Sequence, residues 1–225
     1  MRSETVQRLR LTFGVRSPLC YASVLDMGRL WERLLRRARV PLAYTQGFNP
    51  HPRLQFADAL PVGYDSVCEL VDMWLSERQD FAEFAHTARE QAPAGLDILA
   101  VEEVTLNAVS PQSTMQQAEY RVSLDTPSSR DDLAAAVERI LTQPSLIRRR
   151  MKKGELAEYD LRPLVYEIEL LDERDGQQHL RLLLRCGSQG AGRPEEVVAA
   201  LELPIRAFHV LRTGLIWGAV EEQQS

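Results

Sequence analysis

The chain has 225 residues, of which 44% are hydrophobic and 26% charged, and its net charge is −5 at pH 7. That is the composition of an ordinary globular protein, long enough for one large domain or two of about 100 residues each. No apolar run approaches the roughly 20 residues needed to span a bilayer, and the three scattered cysteines, Cys20, Cys68 and Cys186, do not make a disulfide framework.

Each cysteine is expected to be a small buried hydrophobe. The charged stretch Met1–Arg10 runs directly into a strand pattern and is not expected to be a signal peptide, so the cytoplasm is the expected compartment and no membrane is an expected partner. From Val6 to Val15 the residues alternate, with Leu9, Leu11, Phe13 and Val15 on one face, which predicts a strand. Ser17-Pro18 marks a turn. Ser23 and Asp26 have capping-box spacing, and Met27, Leu30, Trp31, Leu34 and Ala38 recur at helical intervals, which predicts a helix running to Val40 with Pro41 as its stop.

Leu42–Thr45 reads as a short strand, followed by the proline-bounded loop Gln46–Pro52. Strands are predicted over Arg53–Ala57 and Val67–Leu75, a helix over Asp80–Gln91 and a strand over Leu96–Leu106. With Leu42–Leu75 taken as one bent hairpin, the order is β-α-β-β-α-β, the split βαβ arrangement. Asn107–Gln116 is polar and reads as a linker.

The second half predicts strands over Glu119–Leu124, Leu146–Met151, Leu164–Leu171, His179–Cys186 and Phe208–Trp217. It predicts helices over Asp131–Leu141, with Ser128 and Ser129 as caps, and over Pro194–Leu201, with Pro in its first turn and Glu195-Glu196 behind it. The expected fold is α+β, two tandem ferredoxin-like (βαββαβ) units with antiparallel sheets, over residues 1–107 and 117–225. The second unit carries one strand more than the first.

The acidic total conceals two basic clusters. Arg29, Arg33, Arg36, Arg37 and Arg39 fall within eleven residues, and Arg148, Arg149, Arg150, Lys152 and Lys153 within six. On a helix, Arg29, Arg33, Arg36 and Arg37 share an arc of about 100° opposite the apolar stripe. Such a face is either a solvated surface or a contact for phosphates, and Arg is the residue preferred for bidentate anion contacts. On a strand, Arg148, Arg150 and Lys152 would share a face, as on RNA-binding sheets, although no aromatic accompanies them. Asp160 and Arg162, just beyond, are expected to fix a loop. The loop Tyr44–Arg53 gathers Gln46, Asn49, His51 and Arg53, offering donors, acceptors and one group that titrates near neutrality.

No C-x-x-C pair, H-E-x-x-H, G-x-G-x-x-G, Walker-type loop or G-x-S-x-G elbow occurs, so the chain carries none of these signatures of iron–sulfur, zinc, nucleotide or serine chemistry. A Ser/His/Asp site assembled from distant residues stays open.

The segments Leu9–Phe13, Ala22–Met27, Arg33–Ala38, Pro41–Arg53 and Leu60–Gly63, with Lys153-Gly154 and Tyr159–Pro163, resemble the bacterial radical SAM-linked protein family, a domain of unknown function. The resemblance covers nearly the whole chain, and its long central motif is specific. It implies a radical SAM partner with a cobalamin-binding-like domain, encoded beside or fused to it. The iron–sulfur cluster and S-adenosylmethionine are then expected on that partner, with no cofactor or metal in this chain. It implies no catalytic residue, and Val24 stands where the common Ser-His-Leu-Asp version has histidine.

The leading expectation is an accessory protein, without catalytic activity alone, that binds RNA or a substrate for a radical SAM partner. The expected contacts are Arg29, Arg33, Arg36, Arg37, Arg53, Gln46, Asn49, Arg148, Arg150, Lys152 and Lys153. Two alternatives stand beside it: an enzyme using His51 and Asp160 as an acid/base pair, and a protein–protein scaffold whose arginine face docks an acidic surface.

Overall fold

The computed structural model describes residues 5–152, 155–187 and 190–218. It divides into two compact units, Met1–Thr114 and Met115–Ser225.

In the first unit, β1 (Gln7–Val15) leads through a 3₁₀ turn (Leu19–Tyr21) to α1 (Val24–Arg37), followed by β2 (Leu54–Phe56), β3 (Asp65–Leu75), α2 (Phe81–Gln91), β4 (Leu96–Val104) and the short α3 (Pro111–Thr114). All the strand pairings are antiparallel, in the order β4-β1-β3-β2. The alternation of β1 decides the packing. Leu9, Leu11 and Phe13 sit opposite Met73, Val71 and Glu69, and this row joins a core with Trp31, Leu34 and Leu35 of α1 and Phe84 and Ala88 of α2. The Phe13 and Trp31 rings meet edge to face at 5.0 Å between centroids.

Residues of the other parity form the opposite face, where Arg8 pairs with Trp74 and Arg10 with Asp72. The fully buried Asp72 accepts from both guanidinium groups, Arg8 and, at 2.7 Å, Arg10. Arg8 also donates to the carbonyls of Leu106 and Ala108, which ties the segment after β4 across this face. The Trp74 ring lies beneath two cations, with Arg8 at 4.6 Å and Arg53 at 4.3 Å from its centroid.

The helix α1 begins as the sequence predicts, with Ser23 Oγ accepting from the Asp26 amide, but it ends at Arg37 and not Val40. Arg39 adopts φ 54, and the Val40 amide donates to the Leu35 carbonyl at 3.1 Å. This is a Schellman closure, with Val40 packed back on the core. The helix therefore stops before Pro41 needs to stop it.

The second unit contains β5 (Met115–Asp125), α4 (Arg130–Thr142), β6 (Ile147–Lys152), β7 (Glu155–Asp160), a 3₁₀ turn (Arg162–Leu164), β8 (Val165–Arg174), β9 (Gln177–Arg185), α5 (Pro194–Ala200) and β10 (Ala207–Trp217). Its sheet is antiparallel in the order β10-β5-β9-β8. Ser129 and Asp132 close a capping box on α4. Asp175 and Gly176, both at positive φ, make the two-residue turn between β8 and β9. Tyr120, Val122, Leu124, Leu133, Ile140, Leu182 and Val197 are among its buried side chains.

Three expectations are corrected here. The linker over Asn107–Gln116 is partly structured, because α3 occupies Pro111–Thr114 and β5 already begins at Met115. The segment around Tyr159-Asp160 is not only a loop, because β7 pairs with β6, and this adds a strand to the predicted order. The basic strand β6 is not part of the larger sheet, because β6 and β7 form a two-stranded sheet of their own. Opposite charges facing across the pair, Arg149 and Glu158, help to set its register.

Candidate functional site

The arginine face of α1 is concave at its base. Arg29, Arg33 and Arg37 line an open groove of about 370 Å³ with Asp26 and Leu30 of the same helix and Pro93 beyond α2. Asp26 is the one acid in that lining. The Ser23 hydroxyl donates to it at 2.7 Å and Arg29 lies 3.4 Å away. These contacts, the Ser23 hydroxyl foremost, hold its carboxyl below the usual range. Arg37 donates to the backbone carbonyl of Gln91 at 3.0 Å and meets no carboxylate. Arg33 and Arg36 have no hydrogen-bond or ion-pair partner among the described residues. Like charges at this spacing do not stabilise a helix, so the fold gains nothing from them.

The second cluster is placed differently. Arg149 is paired with Glu158, with Nη2 at 2.7 Å. Two guanidinium nitrogens of Arg148, Nε and Nη2, are buried and lack a hydrogen-bond partner among the described residues. The side chains of Arg150 and Lys152, and Lys153 entirely, lie outside the described residues.

Asp160 closes the hairpin of β6 and β7. Its Oδ1 accepts the amides of Leu146 at 2.7 Å and Arg162 at 2.9 Å, and these bonds, the Leu146 amide first, lower its pKa. Arg162 turns to the carbonyls of Val165 and Leu141. Each therefore fixes the loop through the backbone, and no direct Asp160–Arg162 ion pair is needed. A carboxylate held ionised in this way is a poor proton donor.

The loop Gln46–Pro52 is shut at its base. Thr45 donates its amide to the His51 carbonyl at 2.8 Å, and the His51 amide donates to Thr45 Oγ1 at 3.0 Å. Gly47 takes φ 131 at the tip, a conformation open to glycine. Gln46, Asn49 and His51 are exposed, and Phe48 at the tip is fully so. Arg53 anchors the loop by stacking its guanidinium on Trp74.

Sequence reasoning missed a second cavity in the same unit. It lies between the 3₁₀ turn, the first turn of α1 and the β2–β3 connection, and is small, about 30 Å³. Phe13, Met27, Phe56 and Leu60 make its apolar walls, and Glu69 and Asp58 bring carboxylates to it. Glu69 is only 4% exposed, and the Ser66 hydroxyl donates to it at 2.6 Å. The signal was available: in the predicted strand Val67–Leu75, Glu69 shares parity with Val71, Met73 and Leu75. An acid there occupies a core position. The neighbouring Cys20 thiol is pushed up in pKa by burial and by Asp65.

Among the described residues, no group of three or more His, Cys, Asp or Glu could hold a metal ion, and no helix is long and apolar enough to cross a membrane.

A family model described as "Uncharacterized protein conserved in bacteria (DUF2344)" matches residues 8–194, and the chain belongs to that family. No curated protein matches it. Among solved structures, a Cbf5-Nop10-Gar1 complex is similar at 13% identity and a TM-score of 0.48, over 96% of this chain and 50% of that one. An archaeal box H/ACA sRNP Nop10-Cbf5 complex follows at 12% identity and 0.43, over 92% of this chain and 46% of that one. The chain thus spans half the length of the first. Scores of this size leave the fold to be judged from the strand pairing itself.

Proposed function

We propose that this member of the family is an RNA-binding accessory subunit, without catalytic activity of its own, that presents RNA or an RNA-associated substrate to a radical SAM partner in the cytoplasm. The observation that carries the reading is the groove on α1, where three arginines face one acid and Arg33 has no partner among the described residues. Cations that are unneutralised and concave to solvent attract a polyanion even on a chain of net negative charge. Phe48, exposed at the tip of a loop closed at its base, adds an aromatic face of the kind on which unpaired bases stack.

The strand orders β4-β1-β3-β2 and β10-β5-β9-β8 are each those of a split βαβ unit. They support reading the chain as two tandem ferredoxin-like units, the second with the hairpin of β6 and β7 inserted after its first helix. The partner, and the iron–sulfur cluster and S-adenosylmethionine assigned to it, rest on the motif resemblance. The acid/base alternative is weakened by Asp160, whose oxygen is committed to backbone amides.

An electrophoretic shift of tRNA and rRNA fragments at two salt concentrations tests the reading. Retardation at low salt that fades at high salt is expected, and its absence at low salt would discard RNA as the ligand.

A further inference from the structure

Arg29, Arg33 and Arg37 follow one another along α1 at four-residue intervals, a step of about 6 Å on the helix axis. They make one row about 12 Å long, with a step close to that of successive phosphates on a single nucleic-acid strand. Leu19, Ala22, Leu30 and Pro93 are the apolar half of the eight residues that line the groove. Such a floor suits sugars and base edges, whereas phosphates alone would need none. Asp26 closes the row at the N-terminal end of α1, where a further phosphate would meet a like charge.

Past that end an aromatic ring is turned to solvent. Tyr21 lies between Leu19 and Ala22, which both line the groove, and it is 69% exposed. Its side chain has no hydrogen-bond partner among the described residues. The turn that carries it is fixed. The Ala22 amide donates to the Leu19 carbonyl at 2.9 Å, and the Gly63 amide donates to the Cys20 carbonyl at 2.7 Å. The Cys20 side chain is buried, which sends the next side chain outward. The ring is therefore held out on ordered backbone, so little further ordering is needed for it to meet a ligand.

We propose that the ligand of this groove is an unpaired RNA strand, with its phosphates on Arg29, Arg33 and Arg37 and one base stacked on Tyr21. This rests on the RNA-binding reading and narrows it to RNA whose bases are free. Asp26 turns the backbone away from α1, and the next base lies against the ring. A paired base has its faces covered by its neighbours in the duplex, so a duplex meets the arginines but leaves Tyr21 unused.

Fluorescence anisotropy on the full chain tests this with an unpaired RNA of about 12 nucleotides, the same sequence closed into a duplex, and an abasic version of the strand. The unpaired strand should bind about tenfold more tightly than the duplex. Tyr21→Ala should weaken the unpaired strand by about tenfold, leave the duplex unchanged and keep the parent's salt slope. Tyr21→Phe and Tyr21→Trp should bind as the parent chain does, because stacking needs the ring and not the hydroxyl. On the abasic strand Tyr21→Ala should have no effect. Melting curves that match the parent's show that each variant is folded. A duplex bound as tightly as the unpaired strand, a Tyr21→Ala loss shared equally by both, or no loss at all would overturn this inference and leave the RNA-binding reading standing. Failure to bind either RNA at low salt would overturn both.

Discussion

Two segments of similar basic density end in different surroundings. On α1, Arg33 and Arg36 have no partner among the described residues, and Arg29, Arg33 and Arg37 line a groove. On β6, Arg149 is matched by Glu158 on the neighbouring strand, and part of Arg148 is buried. A helix with one apolar stripe must send its remaining side chains outward, so its charges reach solvent together. A two-stranded ribbon places each charge opposite a cross-strand residue, and that residue can cancel it. Charge counted along a sequence is not yet potential at a surface.

A third setting extends the contrast. Arg8 and Arg10 converge on the buried Asp72 and serve the fold. Asp72→Asn should therefore have the largest effect on stability, about 3–5 kcal/mol, because it leaves buried cations without their counter-charge. In a chain of this size that is a fall of roughly 10 °C in the melting midpoint, measured by scanning calorimetry. Arg33→Ala and Arg36→Ala, by contrast, should move stability by no more than about 0.5 kcal/mol. A large loss there would mean that these arginines also belong to the fold.

Charge reversal of Arg29, Arg33 and Arg37 to Glu should cost about 100-fold or more in RNA affinity at low salt, measured by filter binding, with the melting curve little changed. A smaller effect comes with acid. Glu119 loses ground to burial but is held ionised by Thr213 and Arg181, and Asp160 by the Leu146 amide first, so both fold with lowered pKa values. A depressed carboxylate contributes stability above its unfolded value of about 4, and loses it as pH falls through the folded value. Stability should thus be level above about pH 5 and decline below about pH 4. Asp160→Asn should flatten that decline in pH-dependent melts. Arg149→Ala should likewise cost little, at most about 1 kcal/mol, as an exposed pair does, and leave the salt dependence of RNA binding unchanged.

Much of the fold was legible in the sequence because burial imposes a period. The alternation of Leu9, Leu11 and Phe13, the Ser23 and Ser129 caps and the stripe of Trp31 and Leu34 each correspond to an observed element. What was not legible depends on partners distant in the chain. The hairpin of β6 and β7 hid because Glu155–Asp160 has little apolar pattern and is defined by its pairing with the basic strand. Arg53 was read as a candidate contact of the loop, but its seat on Trp74, a ring 21 residues onward, was not visible in the sequence. The groove was half visible: helical phase placed the arginines on one face, but only the fold brings Pro93 and Gln91 alongside to make that face concave. Glu69 was visible in principle, as an acid at core parity.

The most direct measurement is the slope of RNA affinity against salt, from about 50 to about 200 mM, by fluorescence anisotropy for the parent chain and for Arg33→Ala combined with Arg37→Ala. If the α1 groove holds the phosphates, the logarithmic slope for a single strand should shrink by about 0.7 for each arginine removed. Two parallel lines, with affinity unchanged across the whole range, would contradict the account and move the contact elsewhere on the chain.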